Sequence, residues 1–146
     1  MAVFLSKRDM SDLLVTAWEG GSNYWIESAD YIPPKGMTLK DLRRAAWEAA
    51  PEEDKNLWKE EGPGGRWPLY SLLPFLPPSV KWKIKFTGSE GDDAVLTPEN
   101  MRQAIVTLSK KDGYEHLVGN IKAEEYDAAD ADAWLQAAVF GDVIFG

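Results

Sequence analysis

Glu19-Gly20-Gly21-Ser22-Asn23-Tyr24-Trp25 joins a predicted helix to a predicted strand and is the most informative segment of the chain. Upstream, apolar residues recur at helical spacing from about Ser6 to Glu19, and the two glycines end this helix. Downstream, aromatic and β-branched residues predict a strand over residues 22–32. The segment also carries groups that form hydrogen bonds and stack on planar ligands. We interpret it as a hinge of the fold with a candidate ligand site beside it, formed by Glu19, Ser22, Asn23, Tyr24 and Trp25.

The remaining pattern indicates an α+β fold. Helix starts are predicted at Thr38 and Thr97, where a hydroxyl residue precedes an acidic first turn and an apolar stripe. Another helix begins near residues 127–130 and ends at Phe140-Gly141. Residues 80–86 alternate apolar side chains with lysines, as in a strand with one buried face.

The region between these elements is expected to belong to the same domain. Residues 62–79 are rich in proline and glycine, which disfavours regular structure, but they also carry large apolar side chains. We therefore expect an ordered loop packed on the core or serving as a binding surface. The patterns together predict one α+β domain over residues 1–146, with a small mixed or antiparallel sheet packed against about four helices.

The C-terminal residues repeat the organisation of the opening segment. A glycine after Phe140 ends a helix, and Val143-Ile144-Phe145 predicts a closing strand. If this strand pairs with the strand after Gly21, then Glu19, Asn23 and Asp142 come close together.

Composition excludes several classes of protein. The chain has 146 residues, of which 45% are hydrophobic, and it contains no cysteine. This composition is typical of a globular protein, excludes a disulfide scaffold or a thiolate nucleophile, and suits a reducing cytoplasm. The N-terminal residues show no basic leader followed by an apolar run, and no segment approaches the length of a membrane span. Neither a signal peptide nor a membrane partner is expected.

The net charge of −8 is concentrated near the C-terminus. Residues 112–146 carry eight acidic side chains and one basic one. Such a surface repels nucleic-acid phosphates, so duplex nucleic acid is not an expected partner, and it attracts a basic protein surface. Acidic residues are also favoured at helix N-termini, and a solvated helix start is the second interpretation of this cluster.

Cationic candidates for a ligand site lie elsewhere. Arg66 and Trp67 are adjacent in a bent loop and could bind a phosphate and stack on a base, although the pair is also typical of a surface turn. Lys81, Lys83 and Lys85 form a row on one predicted face, which suits an anionic ligand or partner. Lysines in such a row also protect a sheet from aggregation.

No catalytic residue, metal site or cofactor is predicted. His116 is the single histidine, and no neighbouring motif supplies the partners of a catalytic triad or a metal site. The acidic residues lack the glycine-centred spacing of calcium loops.

Three segments resemble a family of small phage-encoded accessory proteins of unassigned function. Residues 14–25, LVTAWEGGSNYW, resemble an L-x-T-A-x-E-G-G-S-N-Y-W segment near the start of these proteins. Residues 130–146 resemble their C-terminal pattern, an acidic helix start followed by LQ-A-x-F-G-[DE]-[VI]-[VI]-[YF]-G. Residues 96–100, LTPEN, are similar to part of their middle helix. The resemblance implies an accessory protein acting in the cytoplasm of a bacterial host, with counter-defence as the associated role, and it supplies no catalytic residues.

These observations lead to three hypotheses. The first is a non-enzymatic protein that sequesters a small anionic, nucleotide-like ligand, with an aromatic ring stacked on the base and Arg66 or the lysines on the phosphate. The second is an inhibitor that covers a host defence protein, for example an anti-CRISPR-type inhibitor, with its acidic C-terminal surface or its aromatic loop. The third is a hydrolytic or nucleotide-modifying enzyme that uses Glu19 or His116. Exposed aromatic residues and a free strand edge would also suit a homodimer.

Overall fold

The computed structural model describes residues 4–145 and confirms the α+β class. The α-helices within these residues are α1 (Lys7–Thr16), α2 (Leu39–Ala49), α3 (Glu52–Leu57), α4 (Leu69–Leu72), α5 (Pro98–Ser109), α6 (Glu115–Lys122) and α7 (Ala128–Phe140). The strands are β1 (Ile26–Ile32), β2 (Lys83–Gly88) and β3 (Asp93–Leu96). Residues 1–3 and residue 146, with which the C-terminal motif ends, lie outside the described part.

Side-chain caps fix the helix starts that the sequence predicts. The Ser6 hydroxyl accepts a hydrogen bond from the backbone of α1, and the Thr97 hydroxyl does the same for α5. Thr38 forms a reciprocal capping box at the start of α2, and Asp127 forms one at the start of α7. The end of α1 differs from the prediction, because Ala17–Gly21 continue it as a π-helical turn that contains both glycines.

The sheet is antiparallel with the order β1-β2-β3, so β2 is central. Tyr31, Ile84 and Leu96 are aligned across the three strands on the face that packs on the core. The sequence missed β3 because it is only four residues long and follows a polar turn. The boundaries of the other two strands also shift, since β1 begins at Ile26 and β2 extends to Gly88.

The predicted strand at residues 143–145 is absent from the described structure. The backbone N–H groups of Ile144 and Phe145 donate instead to the side chain of Gln136, at 2.9 and 2.8 Å. The prediction that Glu19, Asn23 and Asp142 lie close together depended on pairing between this strand and the strand after Gly21. That pairing does not form within the described residues.

Residues 62–79 contain more regular structure than their proline and glycine content predicts. They contain α4 and a 3₁₀ turn at Leu73–Phe75, and their large apolar side chains enter the core. The Ser11 hydroxyl on α1 donates to the Ser71 carbonyl at 2.6 Å, and Arg43 on α2 donates to the Trp67 carbonyl at 2.8 Å. The loop is therefore a packed layer of the fold.

Helix α7 is central to the molecule. Every residue from Ala131 to Ala138 is buried, and α7 packs against α1, α5 and the π-helical turn. None of the helices within residues 4–145 is both long enough and apolar enough to cross a membrane.

Candidate functional site

A buried carboxylate on α7 accepts hydrogen bonds from the segment Glu19–Trp25. Asp132 is 6% exposed, and its Oδ1 accepts hydrogen bonds from the Ser22 hydroxyl at 2.7 Å and the Trp25 indole at 2.8 Å. Its Oδ2 accepts from the Tyr24 phenol at 2.6 Å and from the Gln136 amide at 2.9 Å. These donors are all electrically neutral and fill the acceptor positions of the carboxylate. We call these five residues the Asp132 cluster.

Gln136 connects this cluster to the C-terminal segment. Its amide nitrogen lies 3.1 Å from the Tyr24 hydroxyl, and its carbonyl oxygen accepts the two backbone hydrogen bonds from residues 144 and 145. The aromatic ring of Phe145 stacks on Trp25 with centroids 5.7 Å apart. The side chain of one buried glutamine therefore joins two of the segments that carry the family resemblance.

Close packing at Gly21 sets the distance between the π-helical turn and α7. A Cβ atom added at Gly21 would lie 2.2 Å from the carbonyl oxygen of Ala128, which is far inside van der Waals contact. A Cβ atom at Gly20 would have no neighbour within 4 Å. The second glycine of the motif is therefore required for a backbone approach, and π-helical turns of this kind are frequent at functional sites.

A solvent-open pocket of about 600 Å³ lies beside the Asp132 cluster. Its walls include the aromatic residues Tyr24, Tyr114 and Phe145, together with Leu117 and Val143. Its polar groups come from Asp132 and Gln136, and its floor includes Gly20, Gly21, Ala128 and Ala129. We call this the aromatic pocket. Its size and its mixture of apolar walls with a few polar groups are typical of ligand sites.

Tyr24 is the member of the cluster that solvent reaches, since 54% of its surface is exposed. Burial of the phenol and its hydrogen bond to Asp132 raise the pKa of Tyr24 to about 12. Burial also raises the pKa of Tyr31 to about 12, and the pKa of Tyr70 is raised by burial and by its hydrogen bond to Glu19. The folded state thus favours neutral tyrosines more strongly than the unfolded chain does.

This difference predicts a loss of stability in alkali. Stability from the raised pKa values is fully present below the ordinary tyrosine pKa of 10.0 and is lost as the pH rises toward about 12. We expect the free energy of unfolding to fall over this range, and to fall less steeply in Tyr24→Phe, in which one of the titrating phenols is absent. Urea unfolding at a series of pH values measures how steeply the free energy of unfolding falls with pH in each protein. Identical slopes in wild type and Tyr24→Phe would show that folding does not raise the pKa of Tyr24.

The structure divides the predicted residues of the opening segment between two places. Ser22, Tyr24 and Trp25 belong to the Asp132 cluster, and Trp25 is only 3% exposed, so its indole does not offer a stacking surface. The carboxylate of Glu19 instead accepts a hydrogen bond from the Tyr70 phenol at 2.7 Å. Asn23 is exposed and makes a long contact, 3.5 Å, to the Glu19 carbonyl.

The predicted pairing of Arg66 with Trp67 does not form a stacking site. Trp67 is 1% exposed, and its indole donates to the Gly62 carbonyl at 2.7 Å. The guanidinium that covers its ring belongs to Arg43, 4.2 Å from the centroid, because α2 packs on this loop. Arg66 is exposed, and its backbone N–H donates to the Glu61 carboxylate at 2.7 Å.

The lysine row is largely neutralised by acidic neighbours. Lys81 precedes β2 and forms an ion pair with Glu99 at the start of α5. The Lys85 ammonium nitrogen lies 3.5 Å from a carboxylate oxygen of Asp93 on the adjacent strand β3. Lys83 is exposed on the central strand. This arrangement suits a solvated outer face of the sheet, and the ligand-binding role of the row stays a prediction.

A second concave surface, of about 450 Å³, is strongly acidic. It is lined by Asp9, Asp12, Thr16, Glu124, Tyr126, Asp127 and Ala128, and we call it the acidic groove. Burial raises the pKa of Asp12, and a hydrogen bond with Asp9 together with repulsion from it raises the pKa of Glu124. Within residues 4–145, no three acidic or histidine side chains are arranged to hold a metal ion. The groove also shares Ala128 with the aromatic pocket.

Four residues of this region were not predicted as site residues from the sequence: Asp132, Gln136, Tyr114 and Phe145. A signal for the first two exists, because Asp132 and Gln136 lie four positions apart in an otherwise apolar helix. Polar residues at that spacing share one helix face, and buried polar groups require partners. His116, the candidate of the enzyme hypothesis, is exposed on α6.

Comparison with protein-family models, with curated proteins and with solved structures gives no match to this chain.

Proposed function

We propose that the protein is a non-enzymatic binding protein that inhibits a basic effector protein by covering its surface with the acidic groove. The observation that supports this most directly is the lining of the groove, which among residues 4–145 contains Asp9, Asp12, Glu124 and Asp127 and no lysine or arginine. The nearest cation, Arg8, lies 4.0 Å from the Asp12 carboxylate and is shared with Glu53 and Asp54, so the acidic side chains outnumber it. A basic partner would supply further counter-charge.

The groove contains unfavourable interactions that a cationic partner would relieve. The raised pKa values of Asp12 and Glu124 mean that folding brings these carboxylates into surroundings that disfavour their negative charge. Glu124 also has a positive φ of 59°, a conformation that is uncommon for residues other than glycine. Glu124 directly follows the C-cap of α6, and this conformation closes the helix, with the Glu125 N–H donating to the Asn120 carbonyl at 2.8 Å.

The same charges argue against the anionic-ligand hypothesis. The groove would repel phosphate, and the single ionisable carboxylate of the aromatic pocket, Asp132, would do so as well. The predicted cations Arg66, Lys81 and Lys85 line neither surface. Sequestration of a nucleotide-like ligand stays a prediction, and a thermal-shift screen with nucleotides tests it, because a ligand at 100 times its dissociation constant stabilises by about 2.7 kcal/mol.

The biological setting of the proposal comes from the resemblance in residues 14–25 and 130–146. A small phage accessory protein with this surface would act in the host cytoplasm as a counter-defence inhibitor. Enzymes that process nucleic acid carry basic surfaces, so an acidic protein can compete for them.

Neutralising the groove tests the proposal. We expect the combined variant Asp9→Asn, Asp12→Asn and Glu124→Gln to lose capture of the partner from bacterial lysate, while wild type retains it. We also expect this variant to be at least as stable as wild type at neutral pH. The reason is that the pKa values of Asp12 and Glu124 are raised in the folded state, so their negative charges destabilise the fold at a pH above these pKa values. Replacing them with neutral amides removes this destabilisation. Affinity capture at two salt concentrations and thermal unfolding measure these outcomes.

A charge-matched control separates the groove from net charge. Glu48→Gln, Glu60→Gln and Glu90→Gln remove the same number of charges from exposed positions outside the groove. This control is expected to keep the captured protein, and capture is expected to weaken as salt rises. Equal loss of capture in both combined variants would contradict a specific groove.

A further inference from the structure

The aromatic pocket has the shape of a partial cage. Tyr24 and Phe145 both line it, with ring centroids 6.5 Å apart and ring planes at 86°, and the Phe145 ring also stacks on Trp25. Tyr114 adds a third aromatic side chain to the lining. Two or three aromatic rings around an open space form the arrangement that proteins use to hold organic cations.

The charge of the pocket selects the same class of ligand. Among residues 4–145, Asp132 is the single charged residue in the lining. The groups that donate to its carboxylate are neutral, so its negative charge is not balanced inside the cluster. Lys111 lies close by, with its ammonium 5.4 Å from the Tyr114 ring centroid, but it is paired with Asp142 at 2.6 Å. The electrostatic potential in the pocket therefore favours a cation.

The hydrogen bonds of Asp132 decide which cation fits. Each carboxylate oxygen already accepts two hydrogen bonds, so an incoming group gains attraction from the charge without forming a full salt bridge. A strongly hydrated ammonium would lose water without gaining replacement acceptors for its N–H groups. A guanidinium is planar, weakly hydrated and stacks on aromatic faces, so it is the cation that these walls accommodate.

We propose that the aromatic pocket receives an arginine side chain of the basic partner, in an inference that rests on the proposed function. The pocket meets the acidic groove at Ala128, so one segment of the partner can reach both surfaces. The pocket volume of about 600 Å³ exceeds one side chain and leaves room for the residues next to the arginine. The arginine anchors the segment, and the groove contacts basic residues that follow it.

The first test uses a small probe in place of the partner. N-acetyl-arginine amide is titrated into ¹⁵N-labelled protein, with N-acetyl-citrulline amide as the neutral probe of the same shape and N-acetyl-lysine amide as the ammonium probe. We expect concentration-dependent shifts of the amide signals of Tyr24, Tyr114 and Phe145 with arginine, smaller shifts with lysine and none with citrulline. Equal shifts with citrulline, or shifts confined to Asp9, Asp12 and Glu124, would overturn the proposal.

The second test removes one wall of the cage. Tyr114→Leu keeps an apolar side chain but loses the π face, and Tyr114→Phe keeps the ring as the matched control. Tyr114 caps α6 without a side-chain hydrogen bond, so neither change removes a cap. We expect arginine binding to weaken roughly two- to fivefold in the leucine variant and to be unchanged in the phenylalanine variant. Equal affinity in all three proteins would also overturn the proposal.

The two proposals fail in different ways. If wild type captures a partner through the acidic groove but the pocket signals do not respond to arginine, the arginine proposal fails and the proposed function stands. If the pocket binds arginine but neutralising the groove leaves capture unchanged, the acidic-groove function fails.

Discussion

Asp132→Ala is expected to lower the free energy of unfolding by about 3–5 kcal/mol and the melting temperature by roughly 10 °C. The carboxylate accepts hydrogen bonds from Ser22, Tyr24, Trp25 and Gln136. Alanine leaves the first three donors without this acceptor, whereas the Gln136 amide keeps its contacts to the Tyr24 hydroxyl and the Phe145 carbonyl. Each buried donor left unsatisfied costs about 1–3 kcal/mol, and water entering the vacated space recovers part of that loss. The expected effect is therefore larger than that of an ordinary surface substitution.

Two further substitutions make this prediction specific. Asp132→Asn keeps nearly the same shape, but its NH₂ group replaces one carboxylate oxygen and would face two hydrogen-bond donors that have lost their acceptor. We therefore expect the free energy of unfolding to fall by a smaller amount, about 2 kcal/mol. Asp112→Asn removes one acidic charge at an exposed position and is expected to change stability by less than about 0.5 kcal/mol. Urea unfolding monitored by tryptophan fluorescence measures all three variants. Losses below about 1 kcal/mol in both Asp132 variants would show that the cluster does not hold the fold together.

Gly21→Ala is expected to destabilise the protein by about 2–3 kcal/mol, which corresponds to roughly 5–10 °C in the melting temperature. The added methyl group would lie 2.2 Å from the Ala128 carbonyl oxygen and 3.1 Å from its carbonyl carbon. These are backbone atoms at the start of α7, so no side chain can rotate away. The helix must shift, and that shift would disturb the Asp132 cluster one turn further along α7.

Gly20→Ala is the matched control for this change. The new methyl group meets no atom within 4 Å, and alanine is favoured over glycine in a helical turn by about 1 kcal/mol. Its stability is expected to equal or slightly exceed that of wild type. Equal destabilisation by the two alanine substitutions would indicate that the π-helical turn, and not the contact with Ala128, accounts for the effect.

Both predictions concern the frame of the aromatic pocket. Gly21 and Ala128 form part of its floor, and Asp132 and Gln136 hold Tyr24 and Phe145 as its walls. A variant that weakens the cluster is therefore expected to weaken arginine binding as well. For this reason the binding test uses Tyr114, whose substitution leaves the cluster intact.

Local chemistry made much of the fold predictable. The helix starts at Thr38 and Thr97, and those near Ser6 and residues 127–130, were predictable because a helix start depends on hydrogen bonds to residues three positions away. The strand boundaries were less accurate. β3 has only four residues and little periodicity of its own, so its strand structure depends on pairing with β2.

The site was only half predictable from the sequence. The segment that ends at Trp25 stood out for its glycines and its aromatic and polar groups, and three of its five predicted residues belong to the Asp132 cluster. Its partner on α7, Asp132, was not predicted because it lies more than one hundred positions away in the sequence. Nothing in the local sequence distinguishes Asp132 from the other acidic residues of this region. Trp67 was misjudged for the same reason, because its burial depends on contacts with distant α2.

By itself the sequence determined the α+β class, the starts of α1, α2, α5 and α7, and the acidic C-terminal quarter. These properties depend on neighbouring residues or on composition. Only the tertiary structure decided that Asp132 receives the donors of residues 22–25 and that Gly21 approaches Ala128. It also decided that the carboxylates of α1 meet those of Glu124 and Asp127, in the segment before α7, in one groove. Each of these contacts joins residues far apart in the chain, and their geometry is fixed by the packing of buried α7 and not by any local pattern.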